Sequence, residues 1–351
     1  MWCSSPLRRR GWSMTERIVR TVTAADGREQ ALEQLGRGER VQPASLAVQA
    51  DTGLATAPVH VAPSDYPAIF AAADRAALDA RNHHVHFVQA DLALVVSAAA
   101  VAGIHAFVPE PFARLAGGAA AILLLATLVI HMARSMLRYQ DTWYGSRTAA
   151  ESVKSAAWRY MMRVRPFHDE DLEADKRFIA ILKQILASQA SLQLSLRGMP
   201  SRAAQITPGM RRVRSLPLPE RKQCYHQERV FDQIAYYAGK AEKNARSGAI
   251  WFWAGSTARG AALAFAVLAA TTPGMVAIVG VFSAVATAVT AWGEVGRHEE
   301  LSQRYTRTAQ ELMLIETLLD DAHDEPAFDR CVADVESIMS SEYAAWASNR
   351  S

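Results

Sequence analysis

The sequence is poor in the residues that staple or catalyse. Its three cysteines, Cys3, Cys224 and Cys331, are far apart and form no CxxC pair. That argues against a disulfide framework and against a structural zinc site, and suits a reducing compartment for the soluble parts. There is no GxxxxGK(S/T), HExxH or GxSxG motif, and no glycine-rich turn after a strand. No pair of carboxylates can be placed in a cleft, so neither enzyme chemistry nor a cofactor or metal site is expected. Alternation at period two is also lacking, so no strand is predicted. A formal charge of +3 is too small to point to nucleic acid. Residues Met1 to Arg20 carry Arg8-Arg9-Arg10 but no apolar core, so no signal peptide is expected, and Met14 is a second candidate start. The deepest scarcity is of charge: between Ser247 and Gly293 only Arg259 carries one.

What fills that stretch is apolar. It divides at Thr271-Thr272-Pro273-Gly274 into arms of about 250–270 and 275–292. A bilayer core of roughly 30 Å needs about 20 apolar residues at a rise of about 1.5 Å each, and both arms meet that length. Pro-Gly is a turn signal that stops one helix and starts its return. A buried helical pair in a large soluble core is the alternative, but such helices carry a polar face and these do not. A second hairpin of the same kind spans about 92–108 and 114–133, broken by Pro109-Glu110-Pro111. Ser97, Ala98, Ala102 and Gly103 in one arm, and Gly117 and Gly118 in the other, offer the small faces that let helices approach closely in lipid. The predicted fold is an all-α membrane protein with two transmembrane hairpins and long cytoplasmic helices forming a bundle.

The remainder reads as helix and linker. Residues 1–64 lack a sustained apolar period and are expected to be flexible. Asp65 is placed to cap a helix running through Ile69, Phe70, Ala73 and Ala77 to Ala90. After Ala133 the helix is expected to continue into water, through Trp143-Tyr144 to Met162. His168-Asp169-Glu170-Asp171 then caps a helix with Phe178, Ile181, Leu182, Ile185, Leu186 and Leu192 on one face, ending at Arg197-Gly198. Residues 199–219 read as a loop. A helix from about Glu220 carries Phe231, Ile234 and Ala238 on one side and runs into the span at Ile250. Leu301, Tyr305, Thr308, Leu312, Ile315 and Leu319 form a bundle seam. A last helix from Asp324-Glu325-Pro326 has the stripe Phe328, Val332, Val335 and Met339. The units are 1–64, 65–165, 166–219, 220–325 and 326–351.

The order of helix, span, tip, span and long helix occurs twice. Arg147-Thr148-Ala149-Ala150-Glu151 recurs as Arg307-Thr308-Ala309-Gln310-Glu311, 160 positions later. The hydrophobic stripes around the two copies do not keep phase under that shift, so the repeat is one of architecture. Arg134, Arg138, Arg147, Lys240, Lys243, Arg246, Arg297, Arg304 and Arg307 flank the span ends away from the tips, which hold only Arg114. By the positive-inside rule both termini and the central stretch are cytoplasmic and both tips lie outside.

Arg259 is the sharpest single candidate. A charge about ten residues into a span costs about 2.5–3.5 kcal/mol on insertion scales. It either faces a pore or another protomer, or it snorkels toward the cytoplasmic end. Thr257, Ser283 and Thr287 are further polar candidates within the second hairpin. Trp251, Trp253 and Trp292 read as interface anchors. Arg147 with Glu151 and Arg307 with Glu311 form i,i+4 pairs, or else contacts between helices that couple cytoplasmic movement to the spans. The basic loop at Arg211, Arg212 and Arg214 reads as a solvated linker or as a contact to anionic lipid or a phosphate ligand. His83, His84 and His86 spread around a helix axis, which suits a solvated face and not a metal site.

A set of juxtamembrane residues adds a resemblance. Tyr66-Pro67 with Phe70 and Ala73 precede the first hairpin, and Trp143-Tyr144, Arg147, Ala150, Glu151, Lys154 and Trp158 follow it. Arg229-Val230-Phe231-Asp232-Gln233, Tyr236-Tyr237, Lys240-Ala241 and Asn244 precede the second. Together they resemble two tandem SLATT domains, the SMODS- and SLOG-associating two-transmembrane effector domains, over roughly 65–165 and 220–322. The resemblance implies a bacterial inner-membrane effector of a nucleotide-linked defence or conflict system. It also implies a pore that opens on a cytoplasmic signal, and a nucleotide-sensing or nucleotide-synthesising partner protein. Four spans rich in Ala and Gly do not enclose an aqueous path alone, so a homo-oligomer in membrane lipid is expected. The alternative is a non-conducting, membrane-anchored scaffold or sensor whose cytoplasmic helices bind a partner.

Overall fold

The first long helix, α1 (Ala68–Ile104), begins where proline dictates. Pro67 holds Tyr66 extended, so Asp65 lies outside the helix and does not cap it, contrary to the expectation above. In the computed structural model, which describes residues 59–188, 203–272 and 275–348, the cap comes from a distant segment. The Ala68 amide donates to the Ala204 carbonyl at 3.2 Å, and the Ile69 amide to Gln205 Oε1 at 3.2 Å. The Asp65 carboxylate instead accepts from the Ala62 amide, closing a short 3-10 turn over Pro63–Asp65. α1 runs without interruption past Ala90, so the soluble helix and the first span are one rod.

A 3-10 turn at His105–Phe107 leads to α2 (Glu110–Leu137) and then α3 (Tyr139–Met161). The helix expected to continue smoothly past Ala133 instead bends at Arg138, whose φ of 44° is left-handed. A non-glycine residue there is uncommon. The same bend recurs: α8 (Met275–Gly296) meets α9 (His298–Asp320) at Arg297, φ 42°. Each bending arginine pairs with a carboxylate three residues on, Arg138 with Asp141 at 2.6 Å and Arg297 with Glu300 at 3.7 Å. The helices that follow are both 23 residues long.

Aligning the two bends shifts the repeat by one position from the matched pentapeptides. In that register Ser146, Ala149, Ala150, Val153 and Tyr160 stand over Tyr305, Thr308, Ala309, Leu312 and Leu319, and all are buried. The pentapeptide match is therefore one residue out of structural register, which is why the stripes around it fell out of phase.

Between the hairpins lie α4 (Asp171–Ser188), α5 (Pro208–Arg214) and α6 (Leu218–Tyr225). The loop expected over 199–219 thus contains a helix. Thr207 caps it, its hydroxyl accepting from the Met210 amide at 3.2 Å, and Pro208 fits the first turn. A π-helical turn, His226–Phe231, then joins α6 to α7 (Asp232–Ala269). Such a turn inserts an extra residue and rotates everything after it. The buried face of α7 is Ile234, Tyr237, Ala241 and Asn244, whereas Phe231 and Ala238, expected on that face, are exposed. The chain closes with α10 (Glu325–Ser348), whose stripe Phe328, Val332, Val335 and Met339 is buried as its spacing predicts. The expected helix end at Arg197-Gly198, Leu192, the Pro273-Gly274 turn and residues 1–58 lie outside the described residues.

Four helical stretches are long and apolar enough to cross a membrane: Ala68–Ile104, Glu110–Met161, Leu218–Ala269 and Met275–Asp320. α1 packs on α2 and α3, α7 on α8 and α9, and α1 meets α8 between the hairpins. Below the spans an aromatic core gathers α3, α4, α6 and α10. Trp158 meets Tyr225 edge-on at 5.6 Å, Tyr160 meets Phe178 at 5.1 Å, and Tyr225 meets Phe328 at 6.1 Å. Each of these residues is fully buried.

Candidate functional site

Within the spans few residues are fully buried by the protein itself. Only 6% to 11% of the most apolar window of each stretch is buried, so lipid or other chains must cover the rest. Arg259 is exposed there, and its Nη2 donates to Thr290 Oγ1 across the hairpin at 2.6 Å. Gly255 leaves the groove for it: a Cβ there would stand 3.3 Å from Arg259 Nη1 and 3.5 Å from Thr290 Oγ1. The guanidinium thus folds toward the end of the span that carries Trp251 and Trp292, which meet edge-on at 6.3 Å. Trp253 points away, exposed beside Phe252 at 5.5 Å. Thr257 and Thr287 are exposed but donate within their own helices, to the carbonyls of Trp253 and Ser283 at 2.9 Å each. Ser283 is exposed.

Beneath the bends the two arginine–glutamate pairs differ. Arg147 reaches Glu151 at 2.5 Å and also Asp74 of α1 at 3.1 Å, so it joins two helices. Burial pushes the Asp74 carboxyl up, against the pull of Arg147. Arg307 meets Glu311 at 2.8 Å on one solvated helix face. In the second hairpin the link between α7 and α9 is made by other groups: His298 Nδ1 lies 3.1 Å from Asn244 Oδ1, and Ser302 donates to the Ala241 carbonyl at 2.9 Å. His83 and His84 lie against Tyr139 and Trp143, with ring centroids 5.1 and 6.3 Å apart.

The strongest electrostatic feature is one the sequence reading passed over: three buried arginines, Arg214, Arg221 and Arg229, along the segment that joins the hairpins. Arg214, read above as part of a basic loop, is only 2% exposed. It donates to Asp171 at 2.8 Å and to the carbonyls of Tyr160, Phe167 and Asp169 at 2.8–2.9 Å. It therefore pins the connection between α3 and α4 to the end of α3, since two of the three carbonyls lie in that connection and one on the last turn. Arg211 and Arg212 stay near the surface, paired with Asp175 at 2.6 Å and Asp65 at 3.7 Å. Arg221 bridges the Met162 carbonyl and Glu325 of α10. Arg229, on the π-helical turn, forks onto Glu336 of α10 at 3.0 and 2.8 Å, and the Tyr225 hydroxyl donates to the same carboxylate at 3.0 Å. Burial opposes the charge on Arg229, but Glu336 outweighs it and pushes the guanidinium above its ordinary range. Glu336 had a signal in the sequence, because it shares the apolar stripe of Val332, Val335 and Met339.

With this doubled geometry in place, residues 67–222 match the family described as SMODS and SLOG-associating 2TM effector domain 3. Residues 225–346 match SMODS and SLOG-associating 2TM effector domain 1. The chain belongs to the SLATT family, as two tandem domains. No curated protein and no solved structure matches it. The border between the two SLATT matches falls between Arg221 and Arg229, so the buried arginines sit where one domain hands over to the next. Two of the residues that carried the resemblance lie there too: Tyr66 is 6.4 Å from Trp158, and Trp158 packs on Tyr225.

Proposed function

We propose that this tandem SLATT protein is a non-enzymatic effector of a bacterial inner membrane, which assembles from several copies and permeabilises the bilayer on a cytoplasmic signal. In this reading both termini and the arginine-tied body are cytoplasmic, and the signal comes from a nucleotide-sensing or nucleotide-synthesising partner. The observation that carries it is the bareness of the spans: few residues on four membrane-length helices are fully buried by the chain, and Arg259, Thr257, Ser283 and Thr287 are exposed on them. A helix surface bearing such groups is better placed against water or other helices than against lipid. Ion flux from liposomes holding the purified protein, with and without candidate nucleotides and the partner, tests it. Flux that appears only with the signal supports the reading, and tight liposomes under every condition refute it.

One observation favours the other reading, a non-conducting membrane anchor. Arg259 has a partner in Thr290, and Thr257 and Thr287 bond within their own helices, so these groups are satisfied without water. The same liposomes distinguish the two, since an anchor binds its partner and leaks nothing.

A further inference from the structure

The two SLATT domains of one chain do not meet symmetrically. In the span region the first arm of the first domain, α1, packs against the second arm of the second, α8. No comparable packing joins α7 to α2 among the described residues. A two-fold relation requires both contacts. The pairing is therefore head-to-tail: it uses one face of each domain and leaves the complementary face of each without a partner.

The faces in use approach closely because Gly103 has no side chain. A Cβ there would stand 3.1 Å from Val281 and 3.5 Å from the Ala277 carbonyl oxygen. Leu92, Val96 and Ala99 share that face of α1 and are half-buried, as are Ala277, Val281 and Ala284 on α8.

The domain repeat locates the unused counterparts. Counted back from the left-handed arginines, Ala277, Val281 and Ala284 correspond to Gly118, Ile122 and Leu125 of α2. For the first arms the register comes from the residue after each bend. Phe87 meets Tyr139 at 5.8 Å, and Gly248 sits 3.4 Å from the His298 Cβ. Counted forward from these, Gly103 corresponds to Ala264, and Leu92, Val96 and Ala99 to Trp253, Thr257 and Gly260. Every one of these counterparts is exposed: Ile122 is 69% exposed, Leu125 60% and Trp253 66%, and nothing lies within 4 Å of a Cβ built on Gly118 or Gly260. Small residues on both faces allow the close helix approach that drives association in lipid, where apolar burial alone does not.

We infer that the occupant is a second copy of this chain: α7 of one protomer packs on α2 of the next, with Ala264 near Gly118, repeating the α1–α8 contact between molecules. First and second domains then alternate along the assembly, and a repeated head-to-tail contact gives a ring where its rotation closes and an open array where it does not. The inference rests on the assembly part of the function proposed above and not on conduction.

Cysteine cross-linking in membranes tests it. In a background of Cys3→Ser, Cys224→Ala and Cys331→Ser, shown by mass photometry to keep the wild-type copy number, differently tagged A264C and G118C chains are co-expressed and oxidised with copper phenanthroline. A disulfide forms only when Cα atoms come within about 4.4–6.8 Å. The expected product is a dimer carrying both tags, none from either variant alone, and a ladder from the double variant A264C/G118C. Self-cross-linking of A264C or of G118C alone indicates a two-fold contact and overturns the inference. So does absence of any cross-link in protein that counts as several copies, a result that leaves assembly itself standing. Single copies throughout would remove both the inference and the assembly on which it rests.

Discussion

Glu336→Ala ought to loosen α10 from the body by a large and measurable amount. The wild-type carboxylate accepts two hydrogen bonds from Arg229 and one from Tyr225, all in the dry interior. Removing it leaves a guanidinium that is 2% exposed without its counter-charge. Breaking one partner of a buried pair costs about 3–5 kcal/mol, against about 1 kcal/mol for a typical substitution. The loss should appear first as local opening, because the pair is the bond between α10 and the turn leading into α7. At about 1.4 kcal/mol per factor of ten, amide exchange over residues 325–341 should accelerate by roughly two to three and a half powers of ten. Arg229 Nη1 finds no acceptor among the described residues, so the pair is not fully satisfied even in the wild type. The double variant Arg229→Met/Glu336→Leu should therefore recover most of the loss, since apolar replacement of both partners of such a pair is often neutral or stabilising by about 1–4 kcal/mol. Wild-type exchange in Glu336→Ala, or a double variant as loose as the single one, would refute the reasoning.

Other consequences are open to the same kind of test. Arg214→Met removes the side chain bonded to the Tyr160, Phe167 and Asp169 carbonyls and should cost about 3–5 kcal/mol in detergent-phase unfolding; Arg214→Lys should rescue little, because an ammonium cannot reach four acceptors spread around a fork. Gly103→Leu drives a side chain into Val281 and the α8 backbone, so it should weaken the α1–α8 contact by about 1–3 kcal/mol, seen as faster proteolysis between the domains. Arg259→Ala should change ion selectivity or toxicity at equal membrane abundance if the guanidinium lines a path, and Thr290→Val should shift the same readout by freeing it; unchanged behaviour in both removes Arg259 from any path. Burial lowers the His298 imidazole below its ordinary value of about 6.5, so the folded state resists its protonation; the stability is present above that value and is lost as pH falls through it. Protection at the start of α9, once corrected for the intrinsic pH dependence of amide exchange, should thus fall between about pH 7.5 and about pH 5.5, and His298→Gln should abolish the fall.

Several of these features could be read from the residues in order, and others could not. The apolar arms and their proline breaks are local properties, as is the α10 stripe, whose four members repeat at helical spacing with no interruption between them. Asp65 misled because its carboxylate looks like a cap, while the proline two positions later delays the helix and hands the capping to Ala204 and Gln205. The α7 face misled because Phe231, Ile234 and Ala238 fit one helical stripe locally, whereas packing on α9, where Tyr237 meets Tyr305 and Ser302 donates to the Ala241 carbonyl, chose Tyr237 and Ala241 instead. Arg211, Arg212 and Arg214 look alike in a short basic run. Only the third meets the carbonyls between the end of α3 and the start of α4, and only it is buried.

The sequence by itself determined that the chain is helical, that it holds four membrane-length arms in two hairpins, and that the plan is doubled, because lengths, apolar content and turn residues act over neighbouring positions. The tertiary structure decided which charges are buried and that one domain meets the other by unlike faces. Those outcomes depend on groups more than 40 residues apart finding each other, as Arg214 finds Asp171 and Arg229 finds Glu336. No local pattern states which acceptor a guanidinium reaches, since the cost of burying it is offset only where the folded chain places a carboxylate or open carbonyls beside it.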